Sequence, residues 1–218
     1  MAAPHVSGAA ALLKSAHPDW SPAVIRSAMM TTAGITNNQN KTMTDEATGN
    51  PSTPYDLGAG HLNLDRAMDP GLVYDITGED YVRFLCSVGY GPRVIQVITR
   101  SPPKCPGKKT SPGNLNYPSI AALFPTSSAG PSSKTFIRTV TNVGQPNAVY
   151  RPMIEAPKGV KVTVKPSKLV FTEAVKKRSY LVTVAVDRSN IVLGESGVCS
   201  GRYIGAMGSS MWFGAPLW

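Results

Sequence analysis

Met1-Ala2-Ala3-Pro4-His5-Val6-Ser7-Gly8 runs without a break into Ala9-Ala10-Ala11-Leu12-Leu13-Lys14. The run reads as a helix. Pro4 suits the first turn, where a missing N–H is no loss. Gly8 and the alanines leave little side-chain volume, so this helix can lie close against a neighbour. It has no strand and no capping residue ahead of it, as expected for a segment cut from a longer protein.

Outward from that helix, His17-Pro18-Asp19-Trp20 is a turn. Ser21 and Pro22 read as the N-cap and first residue of a second helix. Its apolar face is Val24, Ile25, Ala28, Met29 and Thr32, and Ala33-Gly34 ends it. Residues 35–54 are a polar loop. Gly58-Ala59-Gly60-His61 is too small-sided for a core strand and predicts a close approach of backbone to backbone. Leu64 to Met68 reads as a short helix stopped by Asp69-Pro70-Gly71. Glu79 to Val88 reads as a helix with Tyr81, Val82, Leu85 and Val88 on its apolar side, and Val94 to Ile98 as another turn. A Pro- and Lys-rich break, Ser101 to Gly107, follows, and a domain boundary falls at about Pro112.

Beyond it the period changes to two. Strands are expected at Tyr117 to Phe124, at Thr135 to Thr141 with Phe136, Arg138 and Val140 on one face, and at Ala148 to Glu155. Val160, Val162 and Val164 alternate with Lys161, Thr163 and Lys165, and Tyr180, Val182, Val184 and Val186 repeat the pattern. Short strands with Gly and Pro turns predict a β-sandwich. The fold class is therefore α+β.

Composition narrows the function classes. The 218 residues are 42% hydrophobic, enough for one or two packed domains. No apolar run approaches the roughly 18 residues needed to cross a bilayer, so no membrane span is expected. No secretory signal precedes the motif at Met1. The net charge is +9, with residues 1–75 at −3 (four basic, seven acidic) and 76–218 at +12 (eighteen basic, six acidic). Such asymmetry raises nucleic-acid binding. The lysines at 158, 161, 165 and 168, and Lys176-Lys177-Arg178, alternate with valines and lack interleaved aromatics, so they read as a solvated sheet face and no nucleic-acid partner is expected. Cys86, Cys105 and Cys199 form no C-x-x-C pair, and His5, His17 and His61 lack zinc-finger spacing. No metal and no cofactor are expected. Asn40-Lys41-Thr42 is an N-glycosylation sequon.

Met1 to Gly8 resembles the second half of the subtilisin-like serine protease motif Gly-Thr-Ser-Met-Ala-x-Pro-His-Val-Ser-Gly. Leu12 to Pro22, Met30-Thr31-Thr32-Ala33, Gly58 to His61 and Asp69 to Asp75 resemble plant subtilases. Thr139 to Gly144 and Lys165 to Phe171 resemble the fibronectin-III-like domain of the same family. The resemblance implies four parts: 1–75, the C-terminal end of the peptidase domain; 76–112, connecting helices and loop; 113–197, a fibronectin-III-like sandwich; and 198–218, an atypical tail. It implies a large apolar surface on 1–75, whose sheet partners lie elsewhere. It also implies a Cys86–Cys105 disulfide, against the alternative of two free thiols.

The implied activity is peptide-bond hydrolysis by Ser, His and Asp, acting on a protein or peptide substrate outside the cell. The family order is Asp, His, Ser. The nucleophile is then the residue immediately before Met1, and its partners lie upstream, so no catalytic residue is assigned within the chain. His5 is a helix residue beside the nucleophile rather than the general base, and Ser7 lies two turns too far along. The isolated chain is expected to be inactive. The alternative is a non-catalytic fibronectin-III-like interaction module or a pseudogene product.

The tail departs from the family after Val198. Back-translated and read from each third base, Met207/Gly208 forces Gly, and Met211/Trp212 and Trp212/Phe213 force Val. Permitted codons elsewhere spell the family's Gly-Ser-Leu-x-Trp-Ser-Asp-Gly hairpin. A frameshift at about Val198 is expected, leaving an open sheet edge.

Overall fold

The computed structural model describes residues 1–52, 54–107, 110–124, 132–154, 156 and 159–186. The expected tail, 198–218, lies outside the described residues. The order is α1 (Ala2–Ala16), α2 (Pro22–Thr31), α3 (Pro54–Leu57), α4 (Leu64–Met68), β1 (Leu72–Val73), α5 (Gly78–Ser87), α6 (Pro92–Thr99), β2 (Ser133–Asn142), β3 (Ala148–Tyr150), β4 (Val160–Lys165), β5 (Leu169–Phe171) and β6 (Lys177–Val186). The class is α+β.

The helical half closes over a small core of Leu13, Trp20, Val24, Ile25, Ala28, Ala67 and Val73. The N-cap read at Ser21 is held as the sequence predicts, and a second cap appears at Asn63. The Ser21 hydroxyl oxygen accepts from the Val24 N–H at 3.1 Å and its O–H donates to Asp75 Oδ1 at 2.7 Å. Asn63 caps α4 by accepting from the Arg66 N–H. Gly60 has φ 114°, and a Cβ there would stand 2.5 Å from the Gly34 carbonyl oxygen. Gly34 and His61 exchange backbone hydrogen bonds at 2.8 and 2.7 Å across this contact, the close approach the glycine turn implies. On the outer side of α1, Met1, Val6 and Leu12 are exposed.

β2, β6 and β4 are antiparallel neighbours in one sheet, ordered β1-β2-β6-β4, and β3 pairs with β5 in a second. The core between them includes Phe136, Val140, Val164, Leu169, Phe171, Tyr180, Val182 and Val184. β1 joins the two halves: Leu72 pairs with Asn142 and Val73 with Thr141. Successive side chains of a strand point to opposite faces. Leu72 and Tyr74 therefore enter the sandwich core, and Val73 enters the helical core.

Two sequence expectations need correction. Tyr117 to Phe124 is not a strand. Pro118 has no N–H to give a ladder, and the carbonyls of Tyr117 and Ser119 accept instead from Arg138 Nε and Nη2, at 3.0 and 3.1 Å. The strand expected over Ala148 to Glu155 stops at Tyr150, just before Pro152. Helix α5 is amphipathic by sequence yet has no buried residue. Tyr81 and Val88 are exposed, and the Tyr81 oxygen accepts from Arg26 Nη2 at 2.7 Å.

At the centre of the sandwich the Tyr74 and Tyr180 hydroxyls share a hydrogen bond of 2.5 Å. Burial pushes both phenols above the usual tyrosine range, Tyr180 well above it, although the Arg138 charge works the other way. A phenol that stays protonated longer in the folded state favours folding only while the unfolded phenol is protonated. Stability is therefore expected to be undiminished by these groups below about pH 10 and to fall as pH rises beyond it. Absorbance titration of tyrosinate should show two phenols that ionise only together with unfolding. Titration of every tyrosine before unfolding would refute this.

Candidate functional site

The motif region forms the first turns of α1. Ala9 and Leu13 are buried against the helical core, while His5 and Ser7 lie on the exposed side. Two anchors fix the far end of the helix. Lys14 Nζ donates to the carbonyls of Pro18 and Trp20, both at 2.8 Å. His17 stacks on Trp20 with ring centroids 3.8 Å apart, and its Nε2–H donates to the Met68 carbonyl at 2.9 Å. Helix α1 is thus set rigidly on α2 and α4 while its N-terminal face stays open.

At that face Met1 is the N-cap, and no side chain caps the helix. The His5 ring turns back to this end: its Nδ1 lies 2.7 Å from the Met1 carbonyl oxygen. That oxygen only accepts, so Nδ1 carries the hydrogen. The ring points along its own helix rather than at a serine, and Ser7 shares no hydrogen bond with it. The three histidines are not brought together: His5 lies on α1, His17 at its C-terminal end, and His61 beside Gly34. Among the described residues no group of His, Cys, Asp and Glu could hold a metal ion, and no helix is long and apolar enough to cross a membrane.

The remaining sites named from sequence lie elsewhere. Asn40 is exposed at a turn tip with φ 61°, a left-handed conformation that Asn tolerates. Its N–H donates to the Asn37 carbonyl at 2.9 Å. Cys86, near the end of α5, and Cys105 have bonded sulfurs and Cα atoms 5.8 Å apart, closing a sequence separation of 19. A loop of that size is worth about 3 kcal/mol in the chain-entropy account. Cys86→Ser with Cys105→Ser should lower the free energy of denaturant unfolding by about that amount. A loss under about 1 kcal/mol would mean that α5 is held by its capping box alone. In that box Thr77 and Asp80 bond each other's side chains and N–H groups. Burial disfavours the charge on Asp80, but the Thr77 hydroxyl and N–H and the Arg83 guanidinium outweigh it and hold the carboxyl below its usual range.

One group was placed by the sequence but its role was not read from it. Arg138 is 3% exposed. Its guanidinium donates to the carbonyls of Gly113, Tyr117, Ser119 and Ile137. Burial pulls its pKa down, and the two tyrosines raise it. The signal was present as a single charge on the Phe136–Val140 face. A cleft of about 450 Å³ also lies between the halves, lined by His17, Trp20, Met68, Asp69, Gly144 and Gln145 among others. The two stacked rings take up its apolar side, and it holds no convergent set of charged groups.

Comparison with known proteins agrees with both halves. Residues 1–60 match the Subtilase family and residues 114–204 a Fibronectin type-III domain. The chain is 66% identical over 98% of its length to Subtilisin-like protease SBT1.6 of Arabidopsis thaliana, covering 27% of that protein. It is 48% identical over 94% of its length to Subtilisin-like protease SBT1.5, again covering 27%. It is 46% identical over 87% of its length to the CO(2)-response secreted protease of the same plant, covering 25%. The chain therefore spans about a quarter of the length of the curated relatives it matches. A subtilase-like helix at its start and a fibronectin type-III sandwich after it place this chain in the plant subtilisin-like serine protease family.

Proposed function

We propose that this chain is the C-terminal part of a secreted plant serine endopeptidase, with α1 as the helix directly behind the nucleophile. In that protein a serine preceding Met1 attacks the peptide carbonyl. A histidine and an aspartate from preceding sequence act as base and orienting acid. The positive end of the helix dipole and its unpaired N–H groups then lie beside the oxyanion that develops. Residues 1–75 complete the peptidase domain, 76–112 connect, and 113–197 form the sandwich that supports it. The substrate is a protein or peptide.

The observation that carries this reading is the fit between motif and geometry. The motif residues start a helix whose inner side is fixed by Leu13 and Lys14 while Met1, Val6 and Leu12 remain uncovered. The uncovered apolar residues suit burial by the preceding part of a peptidase domain. Bonded cysteines and an exposed sequon at Asn40 suit an oxidising, glycosylating route to the cell exterior. Asn40→Gln should remove one glycan mass from protein secreted by plant cells.

The chain by itself carries no triad and should not hydrolyse peptides. The test uses a fluorescent serine phosphonate on two purified proteins: this chain, and this chain joined to the preceding three quarters of the 66% identical relative. Labelling of the joined protein alone supports the proposal. Labelling of the isolated chain, or an unlabelled joined protein that is folded, contradicts it.

A further inference from the structure

We infer that His5 is a positioning residue for the nucleophile, tying down the first peptide of the helix that carries it. The inference rests on the protease reading above.

The argument begins with Pro4. In an α-helix each carbonyl accepts from the N–H four residues on. Pro4 has no N–H, so the residue before Met1 has no helical partner for its carbonyl. The first carbonyl the helix can hold is that of Met1. It has the His5 backbone N–H in helical register, and the His5 ring Nδ1–H at 2.7 Å as a second donor. The orientation of a serine one peptide bond away thus passes through a carbonyl held twice by one residue. Reaction rates are sensitive to such placement, since a shift of about 1 Å can cost on the order of 10²-fold. The bonded ring nitrogen is engaged by the Met1 carbonyl, so the role assigned to it is positioning and not proton transfer.

The experiment uses the joined protease described above. His5→Ala should lower kcat by roughly tenfold and leave KM within about twofold, the pattern of a defect felt in the transition state. His5→Asn should recover most of that loss, because its Nδ2–H stands where the ring Nδ1–H stood. A merely structural role predicts the reverse order, because Ala is the better helix former. Full kcat in His5→Ala, or no recovery in His5→Asn, would overturn the inference while leaving the protease reading intact. A folded joined protein that no phosphonate labels would overturn both. A second measurement does not depend on the variants folding. Nitrogen-15 NMR of the His5 ring in the 218-residue chain should show the Nδ1–H tautomer, and an Nε2–H tautomer would refute the contact.

Discussion

Arg138→Met is expected to lower the stability of the chain by roughly 3–5 kcal/mol, read as a drop in the urea midpoint at unchanged m-value. The guanidinium has no carboxylate among its bonds; it is held by four carbonyls instead. Replacing a whole buried ion pair by apolar groups is often harmless. Here only the donor would go, and the carbonyls of Gly113, Tyr117 and Ser119 would stay. Each buried acceptor left without a partner costs about 1–3 kcal/mol, less whatever water re-enters. The loss should be concentrated in 112–124, a segment with no ladder of its own, which Arg138 fastens across β2. Arg138→Lys should fall between, because an ammonium can reach some of these carbonyls but lacks the planar fork. An Arg138→Met midpoint within experimental error of the parent would mean that the segment is held by Ile120 and Ala122 in the core.

Gly60→Ala should cost at least about 3 kcal/mol, from two causes that add. The first is backbone conformation, φ 114°, where a side chain is strained by about 1–3 kcal/mol. The second is space: the new Cβ would meet the Gly34 oxygen at 2.5 Å and the Gly34 carbonyl carbon at 3.0 Å. Backbone cannot rotate aside as a side chain would, so the Gly34–His61 bridge must open. Gly34→Ala is the control, since a Cβ there meets nothing within 4 Å. A Gly60→Ala protein as stable as Gly34→Ala would contradict the close approach.

Much of the helical half was legible because its signals are local. Ser21-Pro22 and the Asp69-Pro70-Gly71 stop each act within a few residues, and the structure shows the Ser21 cap and the end of α4 at Met68. The strands at β2, β4 and β6 were legible from alternation. What failed needed partners far along the chain. Tyr117 to Phe124 has the composition of a strand, yet its carbonyls belong to an arginine about twenty residues on. β1 is two residues long and has no period to read, but it seals both cores. The apolar side of α5 gave a correct helix, yet none of its residues is buried, since amphipathicity names a face and not what covers it.

The candidate site divides the same way. The motif placed His5 and Ser7 on a helix and assigned neither to catalysis. It could not tell where the His5 ring would turn, because that depends on the side-chain rotamer. Arg138 was seen on an apolar face, and only its carbonyl partners explain why a charge is tolerated there.

The central claim is that α1 is the helix behind a nucleophilic serine. Sequencing the full-length transcript across Met1 tests it most directly. The account predicts a reading frame that continues upstream through Gly-Thr-Ser immediately before Met1. A frame that runs upstream into unrelated sequence, or a stop codon just before Met1, would contradict it and leave a subtilase-derived helix with no nucleophile to support.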